Sequence, residues 1–247
     1  MILNPYPGLF VAVDGIDGSG KSTLTRMLVD WLRLEVFPTP PDSGVTGQAV
    51  LETKEPNKDG PFGKLIYADL AQEGSGLHAR NPMRFQELFA CDSLINSRDN
   101  VIPHLAKGGI VVSDRCRASM VYGAMTQEQI KDLMAMNQRI IGESFIWPDI
   151  VFIVDVPADV AMERLKRSHR DFLDGHEQFA VLDRTRNNFR YLAREYPNCV
   201  LIPDKGDRSP ESKLAFIQEY VQEFLKKRAS RVVEVQDSKN QALWAIT

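Results

Sequence analysis

The chain holds only three cysteines and four histidines in 247 residues, and it has neither a long apolar run nor a surplus of positive charge. Each shortage excludes something. Cys91, Cys116 and Cys199 are odd in number and far apart, which excludes a disulfide framework and a zinc-type ligand set and predicts reduced thiols in a cytoplasmic compartment. Cys91 and Cys199 fall in apolar segments and read as core, whereas Cys116, behind a charged pair at a strand end, reads as partly exposed. His78, His104, His169 and His176 show no ligand spacing and read as solvated or capping residues. A bilayer span needs about 20 apolar residues, so no membrane partner is expected. A formal net charge of −3 supplies no basic field for nucleic acid. The opening MILNPYP lacks the basic start and apolar stretch of a secretory leader. What is left, 43% hydrophobic and 26% charged, is ordinary globular composition with enough chain for one substantial core.

Within it stands Gly15-Ile16-Asp17-Gly18-Ser19-Gly20-Lys21-Ser22, a glycine, four residues, then Gly-Lys-Ser, directly behind an apolar run. Glycines let successive backbone N–H groups converge on phosphate oxygens, Lys21 brings a mobile cation to the β and γ phosphates, and the Ser22 hydroxyl suits magnesium. The context agrees: residues 9–13 (LFVAV) read as a buried strand, and from Thr23 onward Leu24, Met27, Leu28, Trp31 and Leu32 recur at helical spacing. Residues 15–23 are therefore the expected ATP-binding loop.

Downstream, strands alternate with helices. Residues 37–50, with three prolines and two glycines, read as a peripheral excursion. Strands are expected near 49–53, 110–113, 149–156 and 199–202, and helices near 62–71, 81–106, 126–141, 158–170, 179–195 and 210–227. This order predicts an α/β fold, a parallel sheet between helical layers, with ligand chemistry at the C-terminal ends of the strands. One domain over 1–228 is expected. The tail, 229–247, carries Val232-Val233-Glu234-Val235 and reads as an added edge strand or a loose end.

Those strand ends are polar: Asp14 and Asp17 after the first, Lys54-Glu55-Pro56 after the second, Asp114-Arg115 after the third, and Asp155 in the fourth. Such a set suits phosphoryl transfer, in which positioning and cations do most of the work. The cationic run Arg164-Leu-Lys-Arg-Ser-His-Arg170 before a glycine-containing stretch reads as a lid over about 166–178.

On these pieces the chain resembles the thymidylate kinases over roughly residues 9–225. The matching strings, in order, are FVAVDGIDGSGKST, TKEP, FGKLI, LFACD, VVSDR with Ser119 beyond it, VFIVDVPADVAMERLKR, RDFLDGHEQ and RTRNNFRYLA. The resemblance implies a P-loop NTPase fold with a five-stranded parallel sheet, transfer of the γ-phosphate of ATP·Mg to dTMP, small nucleotides as the only partners besides a second copy in a homodimer, and the following roles. Gly15, Ile16, Asp17, Gly18, Ser19, Gly20, Lys21, Ser22 and Thr23 hold the donor. Ser22 and, through water, Asp114 hold magnesium. Asp17 meets the acceptor's sugar and phosphate region, and Lys54, Arg115, Ser119 and Tyr122 complete the acceptor site. Phe89 stacks on the base, and a lid arginine, Arg167 or Arg170, stabilises the transferred phosphoryl group. Glu177 matches an acidic residue that helps place lid or substrate.

The chain also departs from the family. Lys54 replaces an arginine and loses the two-pronged donor; Cys116 replaces an aromatic residue. Ser93 stands where an arginine commonly meets a base carbonyl, Met120 where a polar side chain contacts the base, and Tyr122 is one residue out of register. Asn96, on the same helical face as Phe89 and Ser93, is an alternative amide. Two other readings follow: a kinase for another pyrimidine nucleotide or a deoxynucleoside, with Glu55 as its base, or an inactive nucleotide-binding regulator.

Overall fold

In the computed structural model the described residues are 4–36, 50–72, 74–168, 174, 176–203 and 209–244, with side chains described to residue 228 in the last helix. The excursion at 37–49 and Arg170 therefore lie outside the described residues. The chain divides into two compact units, Met1–Asp207 and Arg208–Thr247.

The first unit is built on a five-stranded, all-parallel sheet in the order β2-β3-β1-β4-β5, formed by β1 (Leu9–Gly15), β2 (Leu51–Lys54), β3 (Ile110–Asp114), β4 (Ile150–Asp155) and β5 (Cys199–Pro203). Every residue of β1, β3 and β4 is buried. That burial explains their runs of Val, Ile and Phe, since a parallel sheet covered on both faces has no solvent face to alternate toward. Register aligns the ends: Val13 pairs with Asp114 and Lys54 pairs with Asp114. The chain passes from one side of β1 to the other between β3 and β4, and a crevice opens beside β1 at such a reversal.

The helices are α1 (Lys21–Trp31), α2 (Pro61–Leu70), α3 (Leu77–Arg80), α4 (Pro82–Asn96), α5 (Ile102–Ala106), α6 (Gln129–Ile141), α7 (Ala158–Arg167) and α8 (Phe179–Glu195). Pro61 and Pro82 open their helices, where a missing N–H costs nothing, and the Asn81 side chain accepts from the Arg84 amide at 3.1 Å. The long helix expected over 81–106 is instead α4, a π turn at Ser97–Val101 and α5. Pro103 lies in the second position of α5 and has no N–H to continue the ladder of the preceding turn.

The second unit contains α9 (Pro210–Trp244), and its backbone corrects the expectation of an edge strand at 232–235. Three valines there are outweighed by flanking Glu, Gln, Lys, Arg, Ala and Leu, all good helix formers. No helix among the described residues is long and apolar enough to cross a membrane.

Candidate active site

The loop after β1 is held open by backbone geometry. Gly15, Gly18 and Gly20 have φ of +141°, +77° and +90°, a region that L side chains rarely enter. At Gly18 a Cβ would also strike the Ala161 carbonyl of α7. Ser19 N–H donates to the Ile16 carbonyl at 3.2 Å and Leu24 N–H to Gly20 at 3.2 Å, joining the loop to the first turn of α1. That turn carries no acidic residue, so its positive helix end remains available to an anion. Ile16 is core, whereas Ser22 and Thr23 are exposed. The Ser19 hydroxyl is buried and makes no hydrogen bond.

Lys21 Nζ donates to Asp17 Oδ1 at 3.1 Å and to the Ile16 carbonyl at 3.4 Å. On the other side of Asp17, Arg115 Nη2 donates to the same Oδ1 at 2.5 Å, and the Tyr122 hydroxyl donates to Oδ2 at 3.0 Å. Burial alone would raise the Asp17 pKa, but Arg115 and Lys21 outweigh it and hold the carboxylate well below its ordinary range. The Lys21 ammonium is pulled below its usual value by burial and by Arg115. One carboxylate thus lies between a donor-side cation and an acceptor-side cation.

Arg115 is fixed tightly. Its backbone takes φ +72°, uncommon for a residue with a side chain. Its N–H donates to the Val13 carbonyl at 2.9 Å, and its guanidinium also reaches Gly15 O at 3.1 Å and Ser119 Oγ at 3.1 Å. Residues 117–123 form a 3₁₀ helix. In such a helix positions i and i+3 eclipse, which brings Tyr122 onto the face of Ser119. Behind them Asp14, fully buried, accepts from the Ser119 hydroxyl at 2.7 Å.

Asp114 Oδ2 accepts from Ser22 Oγ at 2.7 Å and lies 3.1 Å from Lys54 Nζ, whose side chain is half exposed. Burial would raise Asp114, but Lys21 and Lys54 prevail and lower it. Its Oδ1 is buried with no hydrogen-bond partner. A hydroxyl, an ionised carboxylate and an orphaned oxygen at the mouth of the phosphate loop fit a hard divalent cation held partly through water and phosphate. Among the described residues no three His, Cys, Asp or Glu cluster to bind a metal by themselves.

A pocket runs from Asp17 and Arg115 past Ser119 and Tyr122 to Phe89 and Gln86. Phe89 presents its ring there, edge-on to Phe85 at 5.3 Å. The structure corrects several expectations around this pocket. His176 is no solvated residue: its ring stacks on Tyr122 at 4.8 Å, and burial pushes its pKa down to about 4. His78 is buried against Asp69, with Nδ1 at 2.8 Å from the carboxylate. Glu177 is buried and accepts from the Asp174 N–H at 3.1 Å. Burial, with Asp17 and Glu177 nearby, lifts Asp174 to about 6.

Ser93 and Asn96 turn away from the base. Ser93 Oγ donates to Glu55 Oε2 at 2.6 Å, and Asn96 Nδ2 donates to Glu55 Oε1 at 3.0 Å. Both oxygens of Glu55 therefore accept a hydrogen bond from α4, and the side chain is buried. Cys116 is buried rather than partly exposed, and burial next to Asp14 raises its thiol; Cys91 is half-buried rather than core. Asp155 is clamped by Arg186 at 2.6 Å and Arg190 at 2.7 Å, so this strand end is structural.

Of the α7 arginines, Arg167 pairs with Glu163 at 2.5 Å on the helix surface, whereas Arg164 Nη1 reaches the Ser19 carbonyl at 3.4 Å. Sequence reasoning missed Arg164 as a loop contact, although it lies one helical turn from Ala161, on which Gly18 packs. It also missed Gln86, one turn before Phe89.

A phosphate loop and an arginine-lined pocket sharing one carboxylate, at the carboxyl ends of a parallel sheet, suit an ATP-dependent phosphotransferase of the P-loop class. Comparison with known proteins specifies the family. The thymidylate kinase family model matches residues 13–212. The chain is similar to a thymidylate kinase of Thermosipho africanus, 29% identical over 219 residues covering 88% of this chain and 99% of that protein. A thymidylate kinase of Jannaschia sp. is 33% identical, covering 81% and 90%. A probable thymidylate kinase of Thermococcus kodakarensis is 30% identical, covering 78% and 88%. The chain belongs to the thymidylate kinase family.

Proposed function

We propose that the protein transfers the γ-phosphate of ATP to the 5′-phosphate of dTMP, giving dTDP and ADP. The observation that carries this is Asp17, bonded to Lys21 of the phosphate loop on one side and to Arg115 and Tyr122 of the acceptor pocket on the other. An acceptor already bearing phosphate needs no deprotonation of a neutral hydroxyl, so cations and alignment suffice. Lys21 and the amides of residues 15–20 hold the donor phosphates, with Ser22 and Thr23 at the helix start. Arg115 and Lys54 hold the acceptor phosphate, Tyr122 and Ser119 fix Arg115 and the sugar side, and Phe89 stacks on the base. Ser22 and Asp114 would hold magnesium, which supplies charge neutralisation and orientation of the phosphates. Arg164 adds a cation at the loop, and Arg167 or Arg170 is the lid arginine. A homodimer acting in the cytoplasm completes the reading.

The test is magnesium-dependent ADP formation with dTMP, dUMP, dCMP, UMP and thymidine offered separately, beside a Lys21→Ala control. Turnover with dTMP supports the assignment. Turnover with thymidine alone reassigns the protein to nucleosides, and ATP binding without turnover on any acceptor reassigns it to a regulator.

A further inference from the structure

Ser93 and Asn96 of α4 are both committed to Glu55. Asn137 is committed as well: its Nδ2 donates to the Leu133 carbonyl at 2.9 Å and lies 3.7 Å from the Met120 thioether. Gln86 is different. It is 2% exposed, and its Nε2 is buried with no hydrogen-bond partner. Its side chain lines both the open pocket with Phe89 and Tyr122 and the enclosed space behind it with Ser93 and Met120. The chain makes room for it: a Cβ on Gly123 would collide with Gln86 Cγ and stand 3.2 Å from Cδ. An unpaired buried amide is costly unless something satisfies it.

We infer that Gln86 is a base-contacting residue of this kinase, its carboxamide meeting the N3–H and O4 edge of a pyrimidine stacked on Phe89. This rests on the acceptor assignment made above. A carboxamide offers an N–H and a carbonyl in one plane, matching the acceptor O4 and donor N3–H of thymine or uracil. Among the described residues lining these two spaces, Arg117 also has unpartnered nitrogens, Nε and Nη1. Its guanidinium, however, lies over the Phe145 ring at 5.7 Å and donates to Ser97, and it lines only the enclosed space. A guanidinium has no acceptor and would satisfy O4 alone. A carboxamide satisfies both groups, and by turning over it also fits the reversed pattern of cytosine, so the discrimination between the two bases is shallow.

The test compares Gln86→Leu, Gln86→Glu and Gly123→Ala with the unaltered full-length chain, using dTMP and dCMP. For Gln86→Leu the expected result is a loss of about tenfold in kcat/KM for dTMP, carried by KM, as for one lost buried hydrogen-bonding group. Its melting temperature without nucleotide is equal or higher, because an unpaired amide has been removed, while the rise produced by dTMP shrinks. Gln86→Glu, an acceptor only when ionised, meets one donor and one acceptor on the edge of either base and so lowers kcat/KM for both dTMP and dCMP by about tenfold. Gly123→Ala shifts KM for dTMP in the same direction as Gln86→Leu.

The inference is overturned if the Gln86 variants leave KM for dTMP unchanged, or if Arg117→Met produces the loss instead. A lower melting temperature in Gln86→Leu with equal losses for dTMP, dCMP and ATP would also overturn it by assigning the residue to packing. Absence of turnover by the unaltered chain on every acceptor removes the kinase assignment itself, an outcome distinct from indifferent Gln86 variants.

Discussion

Around Asp17 the molecule has two sides. On the donor side nine consecutive residues, 15–23, provide the loop amides, the cation and the hydroxyl, and three positive-φ glycines fix their conformation. On the acceptor side the groups come from the turn after β3, the 3₁₀ helix, α4 and residues 174–177, and side chains rather than backbone face the ligand. Phosphate is the same in every nucleotide, so a backbone cradle written in one short stretch suffices for it. A base is recognised by its edge, and any element that reaches that edge can supply the donor. Here Ser93 is committed to Glu55, and the Gln86 amide, one helical turn before Phe89, lines the pocket without a partner for its Nε2.

The largest effect should come from the donor side. Lys21→Ala removes the cation over the β and γ phosphates and should lower kcat by about 10³-fold. Measured as ADP formation at saturating dTMP, a loss of only a few-fold would break the comparison by showing that the loop is not the donor site. On the acceptor side Arg115→Ala should cost about 10²-fold in kcat/KM for dTMP, because it removes an oriented cation and releases Asp17. Arg115→Lys should recover little. A point charge cannot span Asp17, Gly15 O and Ser119 Oγ as the guanidinium does.

A smaller effect sharpens the donor side. Arg164 touches the carbonyl of Ser19, whereas Arg167 pairs with Glu163. Arg164→Ala should raise KM for ATP by about tenfold, and by more than Arg167→Ala does, since an exposed i,i+4 pair contributes little to a distant loop. Equal effects in the two variants would return the lid arginine at 167 to the loop.

How much of this was legible follows from where the information lies. The sheet was legible because buried parallel strands are uninterrupted apolar runs, and the loop because its glycines and lysine have fixed spacing. The break in the long helix was missed because a π turn leaves no compositional mark beyond Pro103. His176 and His78 read as surface residues because nothing local states that His176 will stack on Tyr122 or that Asp69 will meet His78. Gln86 had a faint signal: three residues before Phe89, it shares that helix face. Its meaning depends on Gly123 and on Glu55 having captured Ser93, both brought in by other elements.

The smallest effect concerns stability behind the base pocket and works through pH. Burial, with Glu55 close by, raises Asp92 from 3.8 to about 6, although its Oδ2 accepts from the Asn57 N–H at 2.9 Å. Between about pH 4 and 6 the folded chain keeps a proton that the unfolded chain has lost, so stability falls as pH rises through that window. Asp174, lifted to about 6, acts in the same direction. Asp92→Asn removes the ionisation and retains an oxygen for the Asn57 amide. At pH 7 the variant should be more stable by about 1 kcal/mol after allowance for solvent screening, and the gain should vanish below about pH 4. Denaturant melts at pH 4, 5.5 and 7 would show this as a gain that grows with pH. A constant offset would mean that its ionisation is not coupled to folding, and a loss that grows with pH would mean that the carboxylate is paired rather than strained. Such a loss would place Asp92 with ion-paired carboxylates such as Asp17 instead of with the unpartnered polar groups of the pocket.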